Sequence, residues 1–513
     1  MRTDNELYKR LRALSCDALW EGAVAAFDRA TPRERMRQVA VIRAVGVVFS
    51  TSGTAAERAR ARSWLRGLLD DPNEKVRRYA IAALPKFGAD PGGEAELLAL
   101  LPTAASEREK QALCRALAKV GGAATLEAVA GGPGPLAHAE QKVKAGLARK
   151  EESSRVLMDR VFSSVAGVRV HLRCRKGLEA IVRDEAQDAA ARGGKLRVAE
   201  AGSGLVAIAA EAPFTLSDLY ALRCFDTAGF VLGTVPDSKP AESVEAFAAA
   251  IVSPLARELM RAFTEGSIRY RLQFFSAGPQ RGAVRCVVNR AYALCPEILN
   301  DPRKAPWAID VHPSGEEFSV ELRPRIAPDP RRLYRLHDVR AASHPPLAAC
   351  MARMAGALED AVVWDPFCGS GVELIERALL GGAGGVCGTD LDPDAVAAAE
   401  ANWAAAGLKA VRSRFACADF RRFVERGDIA PGSVALIITN PPMGRRVRVP
   451  DLRGLIEDLF AAAARVLRPG GRLVFANPTH AVPRDRSLRL EHRQVVDLGG
   501  FDCRLEKYVR TGG

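Results

Sequence analysis

The chain has 513 residues, of which 48% are hydrophobic and 26% are charged, so it is long enough for two to four globular domains. Its 74 lysines and arginines outnumber its 61 acidic residues, which favours a polyanionic partner such as nucleic acid, although arginine-rich compositions are also typical of high-GC genomes. No run of 18 apolar residues occurs, and the charged N-terminal segment lacks a signal-peptide core, which argues against a membrane protein.

The 11 cysteines occur singly along the chain. No CxxC pair is present, and no cysteine stands at zinc-ligand spacing with the seven histidines, so we expect no metal site. Isolated cysteines are typical of small buried side chains in a reducing compartment. We therefore expect a cytoplasmic protein.

Residues 1–150 contain three similar segments, at 31–46, 71–88 and 106–122. Each begins with Ser, Thr or Asp, continues with acidic and then helically spaced apolar residues, and ends at glycine. The middle segment resembles a HEAT-type repeat, whose arginines are expected to face solvent. This resemblance predicts an α-solenoid, either an interaction or packing scaffold for a protein partner, which the sequence favours, or a basic surface for RNA.

From about residue 160 the apolar period changes from 3.6 to 2, which indicates strands. Predicted helices separate these strands, so small ferredoxin-like α+β units are expected over 160–335. The predicted strands after the first lie in two short runs at 194–212 and in single runs at 267–276, 307–315 and 317–325.

Two stretches of this region resemble the ferredoxin-like and THUMP module of RNA-modifying enzymes. The first is CRKGLEAIVRDEA, which starts at Cys174, and the second is LYALRCFDTAGFVL at 219–232, which is similar to a helix of that module. The resemblance implies that this region binds structured RNA through its shape and backbone.

From about residue 340 buried strands alternate with helices, which predicts a doubly wound parallel sheet in a Rossmann-like domain over 340–513. Ligands bind such sheets at the carboxyl ends of the strands. The first of these ends reads DPFCGSG from Asp365, where Gly369 and Gly371 allow the backbone to approach a ligand. It is neither the full dinucleotide motif nor a P-loop.

The next two strand ends carry carboxylates beside apolar residues. Asp390 is placed to accept both hydroxyls of a ribose and Leu391 to contact an adenine, whereas Asp392 is expected to cap the following helix. At the third end Asp419 can accept an adenine amino group and Phe420 can flank the ring, although alone Asp419 would be an ordinary cap.

The fourth strand end is Asn440-Pro441-Pro442-Met443. In this order the four ends resemble the S-adenosylmethionine-dependent methyltransferases of amino and amide nitrogens, which carry an Asn/Asp-Pro-Pro-aromatic turn. The Asn440 oxygen and the Pro441 carbonyl can accept two N–H bonds and direct the nitrogen lone pair at the methyl group, while Pro442 stiffens the turn. The resemblance implies a class I methyltransferase domain whose cofactor S-adenosylmethionine contacts Asp365, Phe367, Gly369, Gly371, Asp390, Leu391, Asp419, Phe420 and Asn440.

The stretch TNPPMGRRV is most similar to THUMP-associated RNA guanine-N2 methyltransferases, which have Tyr or Phe where this chain has Met443. The resemblance is good over 340–480, weaker over 160–340, and does not cover residues 1–150. It implies methyl transfer to the exocyclic N2 amine of a guanine in tRNA or rRNA. An aromatic residue would stack on the flipped base, whereas methionine packs less rigidly or fills a pocket beside the cofactor. Three arginines are expected to contact RNA phosphates, namely Arg445, Arg446 and Arg448.

Two alternatives remain open at this stage. A methyltransferase of protein glutamine amides uses the same Asn-Pro-Pro turn, but the basic charge and the THUMP-like region argue against it. A decayed RNA-binding scaffold would explain Met443, but the other strand-end residues from Asp365 to Asn440 are all retained.

Overall fold

The structure is a computed structural model that describes residues 2–88, 91–151, 153–237, 240–276, 281–340, 342–444 and 449–512. The chain forms two compact units: the first comprises Met1–Arg155 and Thr234–Phe318, and the second comprises Val156–Gly233 and Ser319–Gly513. This division assigns Thr234–Phe318 to the same unit as the N-terminal helices. The sequence-based domains at 1–150, 160–335 and 340–513 remain predictions.

The described residues from 2 to 151 are helical and contain no strand. A π-helical turn at Leu19–Val24 and 3-10 turns at Leu68–Asp70 and Leu84–Phe87 interrupt the α-helices. The α-helices are α1 (Arg2–Arg12), α2 (Cys16–Ala18), α3 (Ala25–Arg29), α4 (Pro32–Arg35), α5 (Val39–Ser52), α6 (Ala55–Gly67), α7 (Glu74–Ala83), α8 (Pro91–Ala99), α9 (Glu107–Val120), α10 (Ala123–Val129) and α11 (Pro135–Glu151).

The helices α7 and α9 are joined by an ion pair that corrects one sequence-based expectation. The arginines of the middle repeat were expected on the solvent face, but Arg77 is half-buried and its Nε lies 2.6 Å from Oε1 of the buried Glu109. Its guanidinium also donates to the Asp71 carbonyl at 2.9 Å. Arg77 therefore connects neighbouring helices, because its long side chain reaches a carboxylate that the local sequence does not reveal.

The middle of the chain contains ten strands and five helices among its described residues. In the second unit the strand order is β3-β4-β2-β5-β10, and in the first unit β7 pairs in parallel with both β8 and β9. The strands are β1 (Ser154–Val156), β2 (Arg169–Arg173), β3 (Leu196–Gly202), β4 (Leu205–Ala210), β5 (Thr227–Pro236), β6 (Thr264–Gly266), β7 (Arg269–Phe274), β8 (Leu299–Asn300), β9 (Trp307–Ser314) and β10 (Glu317–Pro324). The helices are α12 (Glu179–Ala191), α13 (Leu216–Tyr220), α14 (Pro240–Ile251), α15 (Pro254–Ala262) and α16 (Arg281–Leu294).

The stretch 219–232, which was predicted to be helical, is mostly extended. Only its first two residues end α13, and β5 begins at Thr227. Ala228 and Phe230 are fully buried and stand two residues apart, as on one face of a strand. The helix prediction was therefore wrong here, because tertiary burial overrides the helical propensity of the leucines and alanines.

The C-terminal part of the second unit is a seven-stranded sheet in the order β13-β12-β11-β14-β15-β17-β16, in which β17 alone runs antiparallel to its two neighbours. This confirms the predicted doubly wound sheet. The strands are β11 (Ala361–Asp365), β12 (Ala383–Asp390), β13 (Arg412–Cys417), β14 (Val434–Thr439), β15 (Leu467–Asn477), β16 (Leu488–Asp497) and β17 (Asp502–Arg510). The helices are α17 (Pro345–Ala355), α18 (Val372–Leu379), α19 (Pro393–Ala406), α20 (Phe420–Glu425) and α21 (Leu452–Val466), with a 3-10 turn at Pro330–Arg332.

The linker that precedes α17 is fastened to the sheet domain by buried polar groups. The fully buried carboxylate of Glu376 accepts hydrogen bonds from Arg223 at 2.8 Å, Arg332 at 3.0 Å and Tyr334 at 2.6 Å. Further along the linker, the Asn402 side chain accepts from the backbone N–H groups of Leu336 and His337, both at 2.9 Å. These bonds hold the linker against α18 and α19 and so determine where its last residues lie.

Most cysteines behave as expected, being buried and unpaired, but Cys286 and Cys417 are exposed. None of the helices in the described ranges has the length and hydropathy required to cross a membrane. The described residues also contain no group of three or more His, Cys, Asp or Glu side chains suited to a metal ion.

Candidate functional site

Two hydrogen bonds connect three of the four predicted strand ends. β11 lies between β12 and β14, so the loops after these strands meet at one edge of the sheet. The carboxylate of Asp390, the last residue of β12, accepts from the Gly369 backbone N–H at 2.9 Å. The Thr439 hydroxyl at the end of β14 donates to Asp365 Oδ1 at 2.5 Å. The structure therefore brings the predicted residues of these strand ends together.

Asp365 is fully buried and has one unsatisfied oxygen. Its Oδ1 accepts from the Phe367 backbone N–H at 3.0 Å and from Thr439, whereas its Oδ2 is buried without a hydrogen-bond partner. Burial, together with the nearby Glu373 carboxylate, raises the pKa of Asp365 well above its ordinary value. A buried acceptor without a donor destabilises the folded protein by about 1–3 kcal/mol. A ligand that donates a hydrogen bond to Oδ2 would remove this cost and so bind more tightly.

The glycine loop after β11 has the conformation that its sequence predicts. Gly369 and Gly371 have φ angles of 49° and 81°, in the left-handed region that favours glycine. A Cβ atom on Gly371 would lie 3.2 Å from the Cβ of Ala399 in α19, so this glycine also permits close helix packing. The linker residue Val339 lies 3.8 Å from the position of a Cβ on Gly369 and thus covers the loop.

The loop after β12 combines a half-buried carboxylate with an exposed apolar side chain. Asp390 accepts from Gly369 and, at 3.0 Å, from the backbone N–H of Asp392. Leu391 is 70% exposed, which is unusual for a leucine beside a polar cleft and leaves its surface free to contact a ligand. Asp392 accepts from the Asp394 backbone N–H at 3.0 Å, which confirms its predicted role as the N-cap of α19.

The loop after β13 is engaged by an arginine. Asp419 caps α20, and a bidentate ion pair with Arg421, at 2.7 Å from Oδ2, keeps the pKa of this carboxyl below its ordinary value. Phe420 is buried and packs edge-to-face on Phe367, with ring centroids 5.0 Å apart. Phe367 is the more accessible of the two rings.

The Asn-Pro-Pro turn presents an unsatisfied acceptor. The amide nitrogen of Asn440 donates to the Ser343 hydroxyl at 2.8 Å, while its Oδ1 is buried and has no partner. Pro441 is buried, Met443 is half-buried, and Gly444 has a left-handed φ of 71°. The three arginines that were expected to contact RNA, Arg445, Arg446 and Arg448, lie outside the described residues.

Ser343 and Glu373 belong to the site but were not found from the sequence. Ser343 lies at the end of the linker, and Glu373 stands in the first turn of α18 and is 3% exposed. Burial raises the pKa of Glu373 to about 7. A glutamate in a first helical turn is normally an exposed residue favoured by the helix dipole, so no sequence signal marks it. Its Oε1 is buried without a hydrogen-bond partner.

A basic cleft of about 630 Å³ lies beside the site in the second unit. Arg173 in its wall pairs with Glu321, whereas Arg175 donates to the backbone oxygen of Asp497 at 3.5 Å and Lys176 is exposed. The cleft is lined by Arg173, Cys174, Arg175, Lys176, Ser203, Gly204, Asp226, Thr227, His344, Asp497 and Gly499. His344 in the cleft wall is followed back along the chain by Ser343, which accepts the hydrogen bond from the Asn440 amide.

Comparison with known proteins identifies the C-terminal domain. The UPF0020 family model, described as an RMKL-like methyltransferase domain, matches residues 332–500. A probable tRNA (guanine(10)-N2)-dimethyltransferase from Methanothermococcus thermolithotrophicus is 30% identical over 160 residues, which cover 30% of this chain and 88% of the relative. The chain belongs to this methyltransferase family.

A second curated relative and two solved structures are also similar to this chain. The tRNA (guanine(10)-N2)-dimethyltransferase of Methanocaldococcus jannaschii is 31% identical over 137 residues, or 26% of this chain and 37% of the relative. TrmN from Thermus thermophilus shares the fold, with a TM-score of 0.54 and 23% identity over 67% of this chain and 99% of that one. A possible methylase from Clostridium difficile 630 has a TM-score of 0.51 at 15% identity, over 67% of this chain and 98% of that one.

The methyl donor of this enzyme is S-adenosylmethionine, and the site residues fit it. The glycine loop allows the protein backbone to approach a ligand closely, and Leu391 exposes apolar surface that an adenine would cover. The unpartnered Oδ2 of Asp365 can accept from the cofactor's ammonium group. Each oxygen of the Asp390 carboxylate accepts one hydrogen bond, from Gly369 or from Asp392. Each can accept a second one, from a hydroxyl of a ribose.

Proposed function

We propose that this methyltransferase transfers a methyl group to the exocyclic N2 amine of a guanine in structured RNA, with tRNA as the first candidate and rRNA as the second. The observation that carries the proposal is Asn440 Oδ1, a buried acceptor without a partner in the turn after β14, the strand that pairs with β11. An amino group can satisfy it, whereas a hydroxyl, thiol or carbon nucleophile would use at most one of the two acceptors of the turn. Both curated relatives are tRNA guanine-N2 methyltransferases by name.

The chemistry that the turn performs is orientation. The lone pair of an aromatic amine is delocalised into the ring, so the amine is a poor nucleophile until its geometry is held. In our proposal Asn440 Oδ1 and the Pro441 carbonyl accept its two N–H bonds, which fixes the amino group so that the nitrogen lone pair points at the methyl group. Bound S-adenosylmethionine supplies an electrophilic methyl group. The proton that the nitrogen sheds after transfer leaves to solvent.

Met443 would contact the face of the target base in this proposal. Its half-buried thioether side chain follows the two prolines, at the position where related turns carry an aromatic ring. Methionine packs against a base face through dispersion but does not fix its plane. We therefore propose an active enzyme with a less rigid grip on the base.

We propose that the RNA backbone runs along the basic cleft. Arg175 and Lys176 line the cleft, and its His344 wall adjoins Ser343, which binds Asn440. Neighbouring phosphates of the target nucleotide would therefore meet positive charge while the base is flipped toward the turn.

We also propose that residues 160–335 act as a THUMP-like RNA-binding module, and that the N-terminal HEAT-like helices are an interaction or packing scaffold. The cytoplasmic location remains a prediction from the cysteine usage.

The test is a methylation assay with two substrate classes. Purified protein is incubated with S-adenosylmethionine and either unmodified RNA or glutamine-containing protein, and the products are digested and measured by mass spectrometry. N2-methylguanosine in the RNA supports the proposal, whereas methylglutamine alone would replace it with a protein methyltransferase. Calorimetric binding of S-adenosylmethionine without any methylated product would favour an RNA-binding scaffold. Loss of N2-methylguanosine from RNA of a deletion strain would identify the cellular target.

A further inference from the structure

We propose that Asn402 in α19 is a positioning residue for the methyl donor, because its side-chain amide fixes the spacing between the linker before α17 and the glycine loop after β11. Asn402 lies on a helix, away from the four strand ends. The inference concerns the site of S-adenosylmethionine and requires no assumption about the methyl acceptor.

The Asn402 amide forms four hydrogen bonds. Its Oδ1 accepts from the backbone N–H groups of Leu336 and His337, both at 2.9 Å. Its Nδ2 donates to the His337 carbonyl at 2.9 Å and to the Ser370 carbonyl at 3.0 Å. A side-chain amide has two hydrogens to donate and an oxygen that accepts two bonds, so the fully buried Asn402 uses all of them. The reverse orientation would set its oxygen against two carbonyls, so the network fixes the amide.

These bonds join two segments that lie beside the cofactor site. His337 belongs to the linker, whereas Ser370 stands between the two left-handed glycines of the glycine loop. Val339, two residues after His337, lies 3.8 Å from the position of a Cβ on Gly369. The spacing between Val339 and the glycine loop therefore depends on a side chain that bonds both segments.

The effect of Asn402 is confined to this part of the linker. The start of the linker is fastened separately, because Glu376 accepts hydrogen bonds from Arg332 at 3.0 Å and Tyr334 at 2.6 Å. The glycine loop also packs on α19, where a Cβ on Gly371 would lie 3.2 Å from the Cβ of Ala399. Loss of the Asn402 amide should therefore release the linker and the loop from each other while both segments keep their other contacts.

This spacing matters for the reaction because the methyl group must lie in line with the attacking atom. A displacement of about 1 Å can cost on the order of 10²-fold in rate. The glycine loop lets the protein backbone approach the donor closely, so a shift of the loop moves the donor's contacts directly. Helix packing does not explain an asparagine at this place, since the other buried residues of α19 are apolar, namely Ala395, Val396, Ala398, Ala399 and Trp403.

The first test replaces Asn402 by aspartate, which has nearly the same shape. Aspartate keeps an oxygen for the linker N–H groups but sets a second oxygen against the carbonyls of His337 and Ser370. Calorimetric titration with S-adenosylhomocysteine, which carries no methyl group to transfer, should show an affinity about tenfold or more below that of the wild type. The binding stoichiometry should be unchanged. A lower stoichiometry at unchanged affinity is the result of partial unfolding alone, and it would overturn the proposal.

Asn477→Asp is the matched control. Asn477 is also buried in the second unit, and its amide donates to the Ala481 carbonyl at 3.1 Å and to Glu506 at 2.8 Å. These bonds go to the loop after β15 and to β17 instead of the glycine loop. The variant should lower the unfolding midpoint but leave the affinity for S-adenosylhomocysteine within about twofold. Equal losses of affinity in the two aspartate variants would contradict the proposal.

A second variant tests the linker without altering the buried amide. Val339→Ala shortens a half-buried side chain, so the protein should still fold. Its affinity for S-adenosylhomocysteine should fall by about threefold to tenfold. In the Val339→Ala background, Asn402→Asp should have a smaller effect than in the wild type, because both substitutions act on the same spacing. Fully additive effects would show that Asn402 does not act through the linker and would overturn the proposal.

Hydrogen exchange followed by mass spectrometry provides a readout without cofactor or activity. Asn402→Leu removes the hydrogen bonds of the amide, so exchange should become faster in the peptides that contain His337 and Ser370. Peptides from β16 and β17 should exchange as in the wild type, because the local contacts are lost without global unfolding. Uniformly faster exchange across the C-terminal sheet would show that Asn402 only stabilises the fold, and the positioning role would then be wrong.

Discussion

The carboxylate of Asp390 accepts a hydrogen bond from the backbone N–H of Gly369 at 2.9 Å, which joins the loops after β12 and β11. One side chain thus shapes the glycine loop and also stands where a ribose is expected. Because the bond comes from the side chain, Asp390 cannot be replaced without loosening the loop that it holds.

Asp390→Ala should therefore weaken S-adenosylmethionine binding by about 2–3 kcal/mol, or roughly 30- to 150-fold, since hydrogen bonds to a charged group are lost. Calorimetric titration measures the change. The control is Asp392→Ala, which removes an N-cap and should cost about 1 kcal/mol of the free energy of unfolding while leaving cofactor affinity within threefold. Equal losses of affinity in the two variants would contradict the assignment.

Asn440→Ala should abolish most methyl transfer. Removing one preorganised hydrogen-bonding group at the reacting atom costs about 10²–10³ in kcat. The free energy of unfolding should fall by only about 1 kcal/mol, because Oδ1 has no partner in the protein and the one hydrogen bond that is lost is the one to Ser343. Single-turnover assays with radiolabelled methyl donor measure the rate, and thermal unfolding measures stability. Retention of more than a tenth of the wild-type rate would exclude Asn440 as the acceptor.

Met443→Tyr should strengthen binding of the RNA. Stacking of a base on an aromatic ring is worth about 1–3 kcal/mol, so the KM for RNA should fall at least fivefold. Met443→Leu, which keeps the apolar volume without a ring, is the control and should leave the KM within twofold. If the tyrosine variant binds RNA no better, Met443 does not contact the base.

Simultaneous replacement of Arg175 and Lys176 by alanine should weaken RNA binding at every sequence tested. Each lost phosphate contact should reduce the slope of log affinity against log salt by about 0.9. Fluorescence anisotropy at several salt concentrations gives both values. Arg192→Ala, an exposed arginine at the end of α12 that does not line the cleft, is the matched control. Equal salt slopes for the two proteins would show that the cleft does not bind the backbone.

The free energy of unfolding should depend on pH through Glu321 in β10. Burial alone would raise the pKa of Glu321, but hydrogen bonds from His171 and Arg173 outweigh it and lower the pKa to about 2. A carboxyl with a depressed pKa contributes stability above its unfolded pKa of about 4.3, and this is lost as the pH falls toward 2. The contribution is about 3 kcal/mol. Urea unfolding at pH 7 and pH 3 should show the loss in the wild type, and a smaller one in Glu321→Gln.

Much of the site could be predicted because it depends on local patterns. Buried strands that end in DPFCGSG, in Asp390 and in Asn440 predict which residues meet at one sheet edge, since parallel strands align their carboxyl ends. The Asp392 cap was predictable for the same reason, because capping involves residues two positions apart. The stretch 219–232 shows the limit of this approach: its propensities favoured a helix, but burial of Ala228 and Phe230 made a strand.

The sequence by itself determined the class of the C-terminal domain and the positions of its strand ends, because helical and strand periods and turn residues act between near neighbours. The acceptor role of the Asn440 turn stays a prediction. Only the tertiary structure decided that Ser343, 97 residues before Asn440, would accept a hydrogen bond from its amide, and that Glu373 in the first turn of α18 would be buried. It likewise paired Arg77 with Glu109, and it joined Arg175 to His344 in one cleft. Such contacts join residues far apart in the chain, and their partners are selected by the order in which strands and helices pack.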